Sequence, residues 1–150
     1  VSVFDLLAQC KAKINIPLIA AGGIMNADQV KQALALGAQA VQMGTAFLNC
    51  QEAGTSAPYR KALSTSERKT KTTRVFSGRF ARGIENRFMR EMEQGSKYVL
   101  PFPAQNKFTR DLRVASLKNN SSEFLSLWSG TGQGDLYSGS VAELIRKLFA

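Results

Sequence analysis

"IPLIAAGGIMNADQV", residues 16–30, is an apolar run that halts on two glycines and restarts with helical spacing. Ile16 to Ala21 has the unbroken apolar character of a parallel strand covered on both faces, with Pro17 near its start, where a missing N–H is tolerated. Gly22 and Gly23 end the strand. Asn26 stands where an N-cap belongs, and Gln29 three residues on makes a pair like a capping box. Val30, Ala33, Leu34 and Ala35 then keep helical spacing until Gly37 closes the helix at C′. In "AQAVQMGTAFLN", residues 38–49, a second short strand, Ala40 to Met43, again stops at a glycine, Gly44, before Thr45. The spacing predicts a right-handed βαβ unit whose glycine ends, Gly23 and Gly44, share the carboxyl edge of a parallel sheet. That edge is where α/β proteins bind ligands.

Residue types narrow the ligand. Glycines let a ligand approach the backbone, and the positive end of the following helix favours an anion. Residues 22–27 and 42–46 contain no Lys or Arg, so a phosphate here would be held by backbone amides and the Thr45 hydroxyl, unlike a P-loop with its lysine. Either glycine alone is accounted for by a tight βα turn. The two in equivalent places point to phosphate.

At 150 residues and 44% apolar composition, the chain can bury one real core. No stretch has the ~18 apolar residues of a membrane span, and Asp5 interrupts any secretory pattern, so a cytoplasmic protein without membrane association is expected. Cys10 and Cys50 lack metal or disulfide spacing and are expected to be reduced; no metal ligands are assigned. There is no histidine, the one side chain that ordinarily titrates near neutrality. No catalytic residue is assigned within the chain, and a general base would be a retuned carboxylate or lysine or come from elsewhere. "VSVFDLLAQCKAKI", residues 1–14, reads at once as a helix carrying Phe4, Leu6, Leu7 and Ile14, without a leading loop or cap; the expectation is a chain that starts inside something larger.

Net charge is +9, and Arg60, Lys61, Arg68, Lys69, Lys71, Arg74, Arg79, Arg82, Arg87 and Arg90 crowd one stretch in which Glu67 and Glu85 are the only acids. Such a stripe can bind nucleic acid through phosphates. Thin aromatic interleaving and the lack of a nucleic-acid module signature favour a solvated or anion-facing surface, with a basic nucleic-acid-binding module kept as an alternative. Asn49 and Ser56 are candidate helix starts, with Tyr59 and Leu63 packing at i,i+4. "TTRVFSG", residues 72–78, has the content of a short strand. Phe80, Ile84, Phe88 and Met92 recur every four residues, predicting one helical face. Pro101 and Pro103 mark an extended segment, a helix is expected from about Thr109 to Lys118, and Ser121 or Ser122 is expected to cap another holding Phe124, Leu125, Leu127 and Trp128. Trp128, beside Gly130, Gly132 and Gly134, fits a core position better than a pocket mouth. Val141, Leu144, Ile145, Leu148 and Phe149 form the apolar face of a further amphipathic helix.

Several stretches together, "IPLIAAGGI" (16–24), "GAQAVQMGTAFL" (37–48), "FSGRFARGIENRFMRE" (76–91), "PFPAQ" (101–105) and "LWSGTGQG" (127–134), resemble the C-terminal part of the nitronate monooxygenase family, formerly 2-nitropropane dioxygenases. The resemblance implies an α/β fold: the C-terminal portion of an FMN-dependent (β/α)8 TIM barrel, holding its last two strands, followed by a mostly helical segment. It divides the chain into 1–50, the βαβ part of the FMN-binding barrel, and 51–150, a helical and loop-rich segment packing on barrel and pocket. By position it gives Gly22 and Gly23 to the FMN phosphate and makes Gln42, Met43, Gly44 and Thr45 a second cradle. The implied activity is oxidation of alkyl nitronates or nitroalkanes by oxygen. The family's proton-abstracting histidine precedes the strand at Ile16 and lies outside this chain, so the implied partners include an N-terminal half barrel or a self-associated copy. Family members tend to have Gln where Thr131 stands, and this chain's next Gln is Gln133. A flavin-dependent enoyl-acyl-carrier-protein reductase, which shares barrel and phosphate loops, is the enzyme alternative.

Overall fold

In the computed structural model, described for residues 1–65, 68–134 and 136–150 with the Ser96 side chain excepted, apolar periodicity and glycine turns produce a mixed α/β chain. Its elements are α1 (Val3–Lys11), β1 (Ile19–Ala21), α2 (Ala27–Ala35), β2 (Ala40–Gln42), α3 (Ala57–Leu63), β3 (Thr70–Thr73), β4 (Ala81–Ile84), α4 (Arg87–Glu91), α5 (Ala104–Phe108), α6 (Arg110–Lys118) and α7 (Val141–Leu148). They form two units, Val1–Gly54 with Thr131–Ala150, and Thr55–Gly130. This division differs from 1–50 and 51–150: residues 131–150 return to the first unit, because Leu144 and Leu148 of α7 enter the core formed by Leu7, Ala20, Ile24, Val30 and Ala33.

In the first unit β1 and β2 pair in parallel, with Ile19 opposite Ala40 and Ala21 opposite Gln42. The crossover helix α2 is capped as its sequence requires, Asn26 Oδ1 accepting from the Gln29 amide at 2.9 Å. Gln29 answers one residue earlier than a capping box would, its Oε1 accepting from the Met25 amide at 2.7 Å. Gly37 ends the helix at φ 96°, with the Lys11 side chain packed where a Cβ would stand. Helix α1 does have a cap: Ser2 accepts from the Asp5 amide. Strand β1 is shorter than Ile16 to Ala21 and is covered on one face only; Ala20 is 3% exposed and Ile19 66%. The cause is a two-stranded sheet whose core gathers on the side of Ala20 and Val41, leaving Ile19, Ala21, Ala40 and Gln42 outside. The capping box of α7 joins Ser140 and Glu143, and Ile145 and Phe149 of its expected apolar face are exposed.

The second unit is built on an antiparallel pair, Thr70 opposite Ile84 and Thr73 opposite Ala81. The expected long helix through Phe80, Ile84, Phe88 and Met92 is therefore two elements, a strand and the short α4, and Phe80 is exposed. Gly83 explains the break: a Cβ there would stand 2.8 Å from the Leu127 carbonyl oxygen, and Gly83 bridges to Trp128 as a strand neighbour. The strand expected in 72–78 lies earlier, at Thr70–Thr73. The helix expected after Ser121 or Ser122 does not form, because main-chain groups of 122–127 are drawn onto β4 and α4 instead. Asn86 donates to the Ser122 and Leu125 carbonyls, while Ile84 and Phe88 amides donate to Leu127 and Glu123. Helices α3 and α6 begin after Ser56 and Thr109, as their sequences indicate. Phe76, 1% exposed, centres the core with Phe88, Met89, Val75 and Val99. Among the described residues no helix is long and apolar enough to cross a membrane, and Cys10 and Cys50 are in no disulfide.

Candidate functional site

Because Ala21 and Gln42 are the last paired residues of the parallel strands, the chain leaves both strands at one edge, into Gly22–Gly23 and into Met43–Gly44–Thr45. The two turns use glycine for different reasons. Gly22 and Gly23 stand at φ 118° and 73°, where a side chain is strained whatever the space. Gly44 has φ −112°, and a Cβ there would meet nothing within 4 Å, so neither backbone nor packing demands glycine. What its hydrogen leaves is a bare approach to the main chain. Thr45 follows as the first residue of a single 3₁₀ turn, Thr45–Phe47, with Gly44 in the cap position.

Gly22 and Gly23 line a cleft of about 440 Å³ with Phe4, Gln29, Thr131 and Gln133. The loop after Gly130 reaches this turn because Gly132 lacks a side chain: a Cβ would stand 2.4 Å from Met25 Cγ and 3.1 Å from the Gly23 carbonyl oxygen. Thr131 Oγ1 lies 3.4 Å from where a Gly23 Cβ would be. Gln42, Met43, Gly44 and Thr45 share the sheet edge without lining that cleft. Gln42 is exposed, and the Met43 side chain packs on the core, which leaves its main chain as the part open to a ligand. The polar wall from Thr131 and Gln133, and the apolar wall from Phe4, were not legible beforehand. The glycine spacing of 130–134 hinted at a close approach, whereas nothing in α1 distinguishes Phe4 from an ordinary core residue.

Trp128 belongs to the core of the second unit, edge-on to Phe76 at 5.7 Å between ring centroids. Its carbonyl accepts from the Tyr59 hydroxyl, and burial pushes the Tyr59 phenol well above its ordinary range. The basic stripe is divided among local partners. Lys71 pairs with Glu93, Arg87 with Glu91 and Arg90 with Glu123, while buried Arg68 donates to the Leu63 carbonyl at 2.8 Å. Arg79 stacks on Phe102 at 4.8 Å, and Arg82 reaches the Thr70 carbonyl across the hairpin at 3.2 Å. Glu67 lies outside the described residues.

The chain as a whole is similar to several known proteins. The chain is 43% identical to a probable nitronate monooxygenase of Bacillus subtilis over 99% of its own length and 43% of the relative's. It is 40% identical to one of Staphylococcus saprophyticus over 87% and 37%. The chain thus spans less than half the length of these curated relatives. Among solved structures, a nitroalkane oxidase from Streptomyces ansochromogenes superposes with a TM-score of 0.90 at 36% identity, over 99% of this chain and 43% of that one. FabK from Thermotoga maritima gives 0.78 at 28% identity, over 99% and 48%. The nitronate monooxygenase family pattern matches residues 1–150 without remainder, and the chain belongs to that family.

Proposed function

We propose that this chain is the FMN-phosphate-binding part of a nitronate monooxygenase, the C-terminal portion of a (β/α)8 TIM barrel carrying its last two strands, acting in the cytoplasm. The observation that carries the reading is the parallel register that ends at Ala21 and Gln42, which brings the Gly22–Gly23 and Gly44–Thr45 turns out of the same sheet edge. The residues suit a phosphate. Left-handed glycines and the unobstructed Gly44 admit close approach to main-chain amides, and α2 begins four residues after Gly23 with its positive end toward that edge. In this reading Gly22, Gly23, Met43 and Gly44 donate amides, the Thr45 hydroxyl donates a further bond, and Gln42 flanks the site. Thr131 and Gln133 supply a polar wall. FMN, when bound, supplies the electron-accepting chemistry for oxidation of an alkyl nitronate by oxygen. The protein's part is to hold the cofactor by its phosphate and fix its orientation. No side chain of this chain is assigned as the proton acceptor. Further barrel strands would come from an N-terminal half barrel or from a self-associated copy.

The test is titration of the purified protein with FMN, followed by quenching of flavin fluorescence, with inorganic phosphate as competitor. Gly44→Asp sets a carboxylate against the phosphate in a position free of packing. It is expected to weaken FMN binding at least about a hundredfold while leaving the unfolding midpoint unchanged. Gly44→Ala is expected to bind nearly as the unaltered protein does. FMN binding that is absent from the unaltered protein, or equal in Gly44→Asp, overturns the reading. The second enzyme reading, a flavin-dependent enoyl-acyl-carrier-protein reductase, draws on the weaker likeness to FabK. Oxygen uptake with an alkyl nitronate separates the two from reduction of an enoyl thioester.

A further inference from the structure

A second cleft, of about 420 Å³, lies wholly within the second unit, between β3 with its exit, Phe80, and α4 with the turn that follows it. That volume is within the range of small-molecule sites. Its floor is apolar: Val75 and Met89 are each 5% exposed, and Met92 and Phe80 extend that surface beside Thr72 and Thr73. Methionine side chains adapt readily to an aliphatic guest. Its rim is basic. Lys71, Arg74 and Lys97 face Glu93 alone, and Glu93 is held by Lys71 at 2.5 Å. Among the described residues neither Arg74 nor Lys97 has a carboxylate partner.

Arg74 is the unusual group. Its Nε is buried and has no hydrogen-bond partner among the described residues, while its guanidinium carbon lies 6.0 Å from the Phe80 ring centroid. Buried donors are nearly always satisfied, and one without an acceptor is costly. A guanidinium presents a planar fork suited to two oxygens of one acid group. The larger cleft of this unit, about 730 Å³, offers no such bias: Lys61 and Lys69 there are balanced by Glu85 and Glu123.

We propose that the cleft between β3 and α4 binds an organic anion, a carboxylate or phosphate monoester carried on a short aliphatic chain. The acid group is bound by Arg74 with Lys97 beside it, and the chain lies on Met89, Met92 and Phe80. This site is independent of the flavin reading and draws on residues of the other unit.

Titration calorimetry of the purified protein with octanoate, octyl phosphate and octanol tests it, supported by amide and methionine-methyl NMR shifts. The better of the two acids is expected to bind about tenfold or more tightly than octanol and to shift the Met89 and Met92 methyl signals. Arg74→Met keeps the aliphatic stem and is expected to remove that margin, Arg74→Lys to keep only part of it, and Lys97→Met to reduce it with the fold untouched. Which acid leads identifies the head group. Octanol binding as tightly as both acids, or acid affinity unchanged in Arg74→Met and Lys97→Met, overturns the proposal. So does a set of shifted signals that excludes Met89 and Met92.

Discussion

Asn26 and Asn86 do the same local work in the two units. Both have extended backbone, φ −143° and −135°, and both side-chain oxygens accept from the amide three residues on. Beyond that they part. Asn26 is exposed and serves its own helix, whereas Asn86 is buried and its Nδ2 also donates to the carbonyls of Ser122 and Leu125, at 3.0 and 2.8 Å. The same pattern recurs in the second unit, where Gln105 Nε2 reaches the Val75 carbonyl at 2.6 Å and Thr109 Oγ1 the Phe76 carbonyl at 2.7 Å. The first unit is organised by apolar faces, meeting across short connections within residues 1–54 and closed by α7 from beyond the second unit. The second is organised by buried side chains that satisfy distant main-chain groups, a requirement of any segment that leaves regular structure inside a core.

Perturbations of each unit measure that contrast. Phe76→Ala removes the ring between Phe88 and Trp128 and should cost about 3–5 kcal/mol. Trp128 is the chain's only tryptophan, so its fluorescence in a denaturant titration reports the second unit, while amide-exchange protection at Val30 and Leu144 reports the first. Loss confined to the tryptophan signal is expected; equal loss at Val30 would mean that the two units unfold as one. Next in size is Asn86→Ala, which loses a cap, leaves the Leu125 carbonyl without its donor and takes one of two donors from the Ser122 carbonyl, about 2–4 kcal/mol. Asn26→Ala should cost about 1 kcal/mol, the worth of a cap alone. Matching losses for the two asparagines would erase the distinction.

The smallest effect concerns Glu143, whose carboxyl is held below its ordinary range by the Tyr137 hydroxyl, then by the Ser140 amide and hydroxyl. A depressed carboxylate contributes stability above its unfolded pKa, and that contribution fades as pH falls through the lower folded value. Tyr137 shows the opposite sign: its phenol is raised, chiefly by the bond to Glu143, so its share is present below the ordinary tyrosine pKa and fades at higher pH. Protection factors of the amides in the first turn of α7 should therefore fall toward acid pH, and Glu143→Gln should flatten that dependence.

The first unit was legible because its signals are short-ranged. Asn26, Gly37 and the paired glycine turns each act within a few residues of themselves, and the structure places them where the spacing says, while Gln29 takes the Met25 amide instead of that of Asn26. The cover on the strands was not legible, since which face of Ile19 and Ala40 is buried depends on what packs there. In the second unit the four-residue spacing of Phe80, Ile84, Phe88 and Met92 fits a helix equally well when half of it is a strand. Gly83 decides the matter by how closely Leu127 approaches, and that approach lies more than forty residues along the chain. The helix expected over Phe124 to Trp128 failed for the same reason: its main-chain groups answer to Asn86, Ile84 and Phe88. Of the candidate site, the two turns could be read, but the return of Thr131 to Gln133 beside Gly23 could not.

The first unit leaves off at Gly54 and resumes at Thr131, which inverts the usual order of vectorial folding on the ribosome. The second unit has emerged in full by Gly130, when the first still lacks Leu144 and Leu148 for its core. The glycine turns at 22–23 and 44 thus precede the second unit in the chain, while the core of their own unit is completed only after it. A nascent chain stalled with its emerged part ending between Gly130 and Ser140 should hold a packed Trp128 and an incomplete first core, making α7 the step that closes that core.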